Sequence, residues 1–274
     1  MQLTKKTKLR EWLTLGVSRP QEALDRAATV IDAWRDRASS TRPQYATMSP
    51  ADVVSTVTAL VSSTPQSCES QLARVEADIT LRMKSVAAAP IAQIHCADIT
   101  LARLCYQICR ILRPEVVVET GVAYGVTSAF ILEALAANGS GILHSIDLPP
   151  LGPRVDEYVG ILVPEDRRDR WHLHRGATKR VLPKLIPKLG RLDMFVHDSL
   201  HTYRNLSMEL RFVTPYLRFP GLVIADDVHE NEAFADWVEE VEPCYSAAVR
   251  EEAKEGVFGI ALLKAGTDLA AVDA

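Results

Sequence analysis

Two short runs hold the residues best able to do chemistry: His197-Asp198-Ser199-Leu200-His201-Thr202-Tyr203 and Ala225-Asp226-Asp227-Val228-His229. Each closes an apolar stretch with strand character, Met194–Asp198 and Leu222–Asp226. If those strands are parallel neighbours, Asp198, Asp226 and Asp227 meet at one rim. Three carboxylates that close repel unless a cation or a proton intervenes. An oxygen-rich set suits a divalent cation such as Mg²⁺, which keeps several of its waters. Such a cation lowers the pKa of a bound hydroxyl. His201 can then take the proton, because an unperturbed imidazole titrates near ~6.5. The candidate catalytic residues are His201 and Asp198, and the candidate metal ligands are Asp198, Asp226 and Asp227. Plainer alternatives stay open: a strand-end turn for Asp226-Asp227, and a loop histidine packed on Tyr203 for His201. His197 reads as a strand residue with one buried face. His95, His144, His172, His174 and His229 have no metal-ligand spacing.

A second set precedes these runs. The strand-like Val116–Glu119 opens into Glu119-Thr120-Gly121-Val122-Ala123-Tyr124-Gly125-Val126-Thr127-Ser128. Gly121 allows a sharp turn and close approach of backbone to a ligand. The spacing is GxxxG, not the GxGxxG of dinucleotide folds. The next strand ends at Asp147, where a carboxylate can accept hydrogen bonds from both hydroxyls of a ribose. A solvated strand-end acid and an ordinary turn glycine are the bland alternatives.

These residues need a scaffold of alternating elements. Strands are expected at Val116–Glu119, Ile142–Asp147, Trp171–His174, Met194–Asp198 and Leu222–Asp226, with helices at Val126–Ala137, Lys179–Leu189 and Tyr203–Leu217 between most of them. This implies a doubly wound, mostly parallel α/β sheet, with ligands at the C-terminal strand ends. A helix follows at Glu232–Val241, and two last strands, Ser246–Glu251 and Phe258–Leu263, predict an antiparallel edge hairpin. That makes seven strands. Ile99 to Leu112 is an amphipathic helix stopped before Pro114. Residues 1–96 read as a helical cap or dimerisation segment before a 97–274 domain. There Ser18 is the expected cap of a helix with Pro20 in its first turn, on which Leu24, Ala27, Ala28, Ile31 and Trp34 recur at helical spacing. Ser49-Pro50 opens another helix, and Gln71 to Val86 is a third. The proline-rich stretch from Leu148 to Arg168 is expected as a lid or a stiff surface loop.

The glycine stretch resembles the motif of class I S-adenosylmethionine (SAM)-dependent methyltransferases, with their Rossmann-like fold. Gly176-Ala177-Thr178-Lys179-Arg180-Val181-Leu182-Pro183-Lys184-Leu185 is similar to the GAS/T…LPxL segment of catechol-type O-methyltransferases, which implies Ala177 and Thr178 beside the adenine; a helix start capped by Thr178 is the alternative. The run from His197 to Tyr203 resembles bacterial small-molecule O-methyltransferases, macrolide-sugar enzymes among them, with an HDSxHxY or DGDHSY-like signature. Arg218-Phe219-Pro220-Gly221-Leu222 falls where that family turns into its fifth strand. The resemblance covers about residues 97–264. It implies SAM held by Glu119, Gly121, Gly125, Ser128, Asp147, Ala177 and Thr178. It also implies a divalent cation on the acidic positions and His201 as base. Many relatives have an acid where this chain has Leu200, which puts the metal in question. The expected function is metal-assisted O-methylation of a small sugar or phenolic hydroxyl. The alternatives are N-methyl transfer without metal, or SAM binding without catalysis.

Bulk properties fit a small-molecule enzyme. The 274 residues are 47% hydrophobic, and the net charge of −4 gives no hint of nucleic acid. Residues 1–90 hold 12 basic and 9 acidic groups, and the remainder 19 and 26; the basic excess lies at Lys5, Lys6, Lys8 and Arg10. The five cysteines, Cys68, Cys96, Cys105, Cys109 and Cys244, form no CxxC pair and read as free thiols of a reducing compartment. No secretory leader or membrane span is expected. A cytoplasmic protein, with no nucleic-acid or membrane partner and a possible homodimer, is the expectation.

Overall fold

A computed structural model describes residues 15–36, 41–63, 68–86, 98–152, 154–252 and 255–264. The basic N-terminal run, His95, Cys96 and Pro153 lie outside the described residues. Helix α1 spans Pro20–Asp36, strand β1 Thr47–Met48, α2 Pro50–Leu60, α3 Glu69–Ser85 and α4 Ile99–Leu112. Then β2 (Val116–Thr120), α5 (Val126–Asn138), β3 (Ile142–Asp147), β4 (Trp171–Arg175), α6 (Thr178–Leu189) and β5 (Leu192–His197) alternate. The chain finishes with α7 (Tyr203–Val213), β6 (Leu217–Ala225), α8 (Ala233–Val241), β7 (Tyr245–Arg250) and β8 (Val257–Leu262).

The strands form one sheet of eight, in the order β1-β7-β8-β6-β5-β2-β3-β4. β2 to β6 are parallel, and β8 runs antiparallel between β6 and β7. The eighth strand, absent from the sequence reading, is β1. Its two residues pair in parallel with Ala248 and Val249 of β7, covering the hairpin's outer edge. Two residues are too few to show a period-2 pattern. The helix expected to reach Leu217 ends at Val213; a 3₁₀ turn over Thr214–Tyr216 follows, and Leu217 already belongs to β6. Pro215 has no N–H to continue the ladder. β6 spans the Phe219-Pro220-Gly221 stretch, but its pairing with β5 is interrupted there: Leu217 pairs with Leu192 and Leu222 with Met194.

Local chemistry explains the main boundaries. Asp98 caps α4 by accepting from Thr100 N at 2.7 Å, and Ser49 caps α2 by accepting from Asp52 N at 3.1 Å. Ser18 sits in a helical turn before Arg19 rather than at the cap, so α1 itself starts at Pro20. Gly125 and Gly139, both at positive φ, open and close α5. α5 is buried almost all round because it lies between the sheet and the N-terminal helices. One apolar core fills that face, joining Val53 and Val57 of α2, Leu72 and Ile79 of α3, and Leu104 and Ile108 of α4 to the sheet. The other face packs α6, α7 and α8 through Leu182, Leu210 and Trp237. No helix among the described residues is long and apolar enough to cross a membrane.

Candidate active site

The C-terminal ends of β2, β3, β5 and β6 open into one cavity of about 520 Å³, walled on the outside by α1. Gly121, Asp147, Ala177, Thr178, Asp198, His201, Asp226 and Asp227 all line it, the last four of them after β5 and β6. The parallel register makes this possible: Glu119 pairs with Ser145 and Val196, and His197 with Ala225, so the strand ends finish level.

Gly121 has φ +86°, and a Cβ there would collide with the carbonyl oxygen of Asp198. Only glycine fits, and the β2 and β5 loops are thereby held against each other. Ala123 takes a left-handed φ of 47° in the same turn, a conformation uncommon outside glycine. The turn's backbone donors face β3: Val122 N donates to Asp147 Oδ1 at 3.1 Å. Asp147 Oδ2 is buried without a hydrogen-bond partner. Burial, ahead of the neighbouring backbone donors, pushes the Asp147 pKa up to about 6. A buried carboxylate oxygen left over at a cavity wall suits a ligand hydroxyl.

Glu119, Gly125 and Ser128 take other places. Glu119 is fully buried, and its Oε2 accepts from Ser128 and Ser145 hydroxyls, each at 2.6 Å; Trp171 Nε1 donates to Ser145 Oγ at 2.9 Å. Burial raises the Glu119 pKa to about 8 despite those two donors. A Cβ on Gly125 would lie 2.8 Å from Gly160 Cα, in the segment between β3 and β4. That segment bonds back to the glycine turn, with Gly160 N on Ala123 O at 2.9 Å and Leu162 N on Tyr124 O at 3.0 Å. These three residues therefore support the loop from behind. Thr178 does not cap α6; its hydroxyl donates to Asn205 Oδ1 at 3.2 Å, and Ala177 is the N-cap.

At the other end of the cavity, His201 Nδ1 lies 2.7 Å from Asp227 Oδ2, which sets the proton on Nδ1. His201 Nε2 is buried and faces Asp198 Oδ1 at 3.6 Å, beyond hydrogen-bond reach. Burial opposes protonation of this ring, yet the carboxylates of Asp198, Asp227 and Asp226 outweigh it and hold its pKa well above the ordinary value. Asp227 sits at φ 51°, which turns its side chain back toward the loop of His201. Asp226 is 4% exposed, and its Oδ1 has no hydrogen-bond partner. Burial, then the charge of Asp198, drives its pKa well above the carboxylate range. Among the described residues, two groups offer ligand atoms all within 4.8 Å of one another: Asp198–His201–Asp226 and Asp226–Asp227–Glu251. The three aspartates do not converge as a set of their own; Asp226 is common to both groups. A buried, unpaired carboxylate oxygen between further acids fits a divalent cation.

Sequence reasoning missed three features. Glu251, at the end of β7, joins the acids because β8 and β7 fold back beside β6. Glu209 of α7 is wholly buried and binds His197 Nδ1 at 2.7 Å, Thr120 Oγ1 at 2.6 Å and Asn205 Nδ2 at 2.8 Å. Burial alone would raise Glu209, but the charge and hydrogen bond of His197, with the hydroxyl donors, keep its pKa lowered. The ring of His197 lies 5.5 Å from that of His201, centroid to centroid. Third, α1 supplies Asp25, Ala28, Thr29 and Asp32 to the cavity wall. Elsewhere, His144 stacks on His172 and His174 across β3 and β4, with Nδ1 of His144 3.1 Å from Nε2 of His174; burial lowers His144 to about 4.

Residues 118–228 match the family model of a methyltransferase domain. No curated protein matches the chain. Solved structures do. The O-methyltransferase from Bacillus cereus in complex with SAH is 14% identical at TM-score 0.53, over 72% of this chain and 92% of that one. The O-methyltransferase TomG from Streptomyces achromogenes, involved in tomaymycin synthesis and solved with SAM, is 14% identical at TM-score 0.50, over 78% and 96%. A methyltransferase from Geobacter sulfurreducens is 18% identical at TM-score 0.51, over 82% and 100%. At such identities the likeness is one of fold.

Proposed function

We propose that the protein is a SAM-dependent methyltransferase that methylates a hydroxyl of a small molecule, with a divalent cation at the rim of β5 and β6; the match of residues 118–228 to a methyltransferase-domain model and the sheet order support this reading. The observation that carries this reading is the His201–Asp227 pair at 2.7 Å, with Nε2 turned toward Asp198 and Asp226 in the cavity that Asp147 also lines. SAM fits across the ends of β2, β3 and β4. Asp147 Oδ2 would accept from the ribose hydroxyls, and Ala177 and Thr178 would border the adenine. Glu119, Gly125 and Ser128 would hold the turn's shape.

Asp198 and Asp226 would hold the cation, most simply Mg²⁺, with Asp227 in the neighbouring group with Glu251 and Leu200 contributing no ligand. When bound, the cation lowers the pKa of the acceptor hydroxyl and fixes its oxygen. Asp227 orients His201 by keeping the proton on Nδ1. A cation on Asp198 and Asp226 would offset the negative charge that holds His201 protonated, and the freed Nε2 would then take the acceptor's proton as the oxygen attacks the methyl in line. The sulfonium loses its charge as the reaction proceeds, so the protein gains most by aiming and deprotonating the oxygen. A sugar or phenolic hydroxyl is the substrate class, and the reaction belongs in the cytoplasm.

The test is a screen of hydroxylated and amine acceptors with methyl-labelled SAM, with and without Mg²⁺. Label on oxygen acceptors that disappears with EDTA supports the proposal. Label on amines, unaffected by EDTA, favours metal-independent N-methylation. SAM binding without any transfer favours a non-catalytic role.

A further inference from the structure

Strand β4 is the outermost on its side of the sheet, and only β3 pairs with it. Chain spacing does not gather the histidines of this edge; the parallel register does. His172 and His174 are two apart on β4 and so share one face. His144 of β3 stands opposite His172, and Ile146 opposite His174. Ile146 belongs to the core on the side of α6, α7 and α8, so the three imidazoles emerge on that side. Their rings stack in a row with His144 at the centre. Its centroid lies 4.9 Å from that of His172 and 5.4 Å from that of His174, and the planes are inclined by 24° and 21°.

His144 Nδ1 and His174 Nε2 are 3.1 Å apart. Two Zn–N bonds of about 2.0–2.1 Å at a tetrahedral angle put their nitrogens about 3.3 Å apart. The two rings thus already stand at the separation of two ligands on one ion. As the rings lie, no choice of nitrogens brings all three histidines within 4.8 Å of one another. His172 is exposed, however, and its ring can turn between rotamers to join the pair. A metal needs neutral imidazole. Burial, ahead of the neighbouring histidines, lowers His144 to about 4, and it lowers His174 as well. The proton now held between the two rings passes to the other nitrogen of its own ring, so both stay neutral when the ion enters. Imidazole nitrogens suit zinc and its neighbours in the first transition row. Mg²⁺ and Ca²⁺ take oxygen ligands instead, as the acidic rim of β5 and β6 offers.

We propose that His144, His172 and His174 form a site for a divalent transition ion, Zn²⁺ foremost, with water in the fourth position. The ion would staple the edge strand β4 to β3. This site does not depend on the methyl-transfer reading. The test is calorimetric titration of the full chain with Zn²⁺, in excess Mg²⁺. The wild type should take up one Zn²⁺ per chain more than the variant with His144→Gln and His174→Gln. Its thermal midpoint should rise with Zn²⁺, and that of the variant should rise less. His172→Ala falls on an exposed position and keeps the fold, and it should weaken this uptake about tenfold or more. It decides the matter alone if the double variant does not fold. Equal uptake by the wild type and the double variant overturns the proposal, and so does uptake that His172→Ala leaves unchanged. Zinc lost on Asp226→Asn but kept by the histidine variants overturns it too, by placing the ion at the rim of β5 and β6, and leaves the methyl-transfer reading standing.

Discussion

At the scale of single residues, the site turns on buried carboxylates whose oxygens are not all used. Asp147 is the clearest case, with Oδ1 on the glycine turn and Oδ2 unpartnered at the cavity wall. Asp147→Ala should weaken SAM binding by about 1.5–3 kcal/mol, the range for charge-assisted hydrogen bonds, read by calorimetry. Unchanged affinity would remove Asp147 from the ribose site. The same group sets a pH dependence. Its pKa is raised to about 6 by burial, and the ionised form is the better acceptor. SAM affinity should therefore hold above pH 6 and fall as pH drops through it, and Asp147→Asn should lose that inflection. Asp226→Asn should weaken Mg²⁺ binding, followed by calorimetry without SAM. A variant that binds Mg²⁺ like the wild type would take the cation away from Asp226.

At the scale of elements, the strand ends gather the site and the loops hold it. Glu119 shows how buried support costs stability at high pH. Its pKa is raised from 4.5 to about 8, so the folded state binds its proton more tightly than the unfolded chain does. The stability this gives is complete below about pH 4.5 and lost as pH rises through 8. Glu119→Gln, which cannot ionise, should gain on the wild type in thermal melts from pH 5 to pH 9. Parallel melting curves would show that Glu119 does not titrate there. The strand–helix alternation was legible because long periodic runs and helix starts such as Ser49-Pro50 speak locally, and because Gly121, Asp147 and Asp198 stand at strand ends. Glu209, Glu251 and β1 were not legible. Each acts through a partner distant in sequence, Glu209 on Thr120 and β1 on β7, and no local pattern encodes such a pairing. The bonds that Glu119 makes to Ser128 and Ser145 were not legible either: a motif fixes their positions but not which side of the turn their side chains face.

At the scale of the whole molecule, the N-terminal helices α2 and α3 share one apolar core with α4, α5 and the sheet. Ile79 of α3 is 1% exposed within it. Ile79→Ala should therefore destabilise the protein by about 2–4 kcal/mol in a single cooperative unfolding transition. Two transitions, with only the first shifted, would show that the N-terminal helices fold as a separate unit. The sheet, the glycine turn and α1 together enclose one cavity, with Asp147 at one end and the acids Asp198 and Asp226 at the other, and the proposed methyl transfer would need both. The most direct test is single-turnover transfer of labelled methyl from SAM to a hydroxyl acceptor, by the wild type and by His201→Ala, with EDTA and then Mg²⁺ restored. Wild-type transfer should fall with EDTA and recover with Mg²⁺. His201→Ala should transfer about 10²–10⁴-fold more slowly, the usual effect of losing a general base, with SAM affinity unchanged. Full-rate transfer by His201→Ala at neutral pH, or a wild type indifferent to EDTA, would contradict the account.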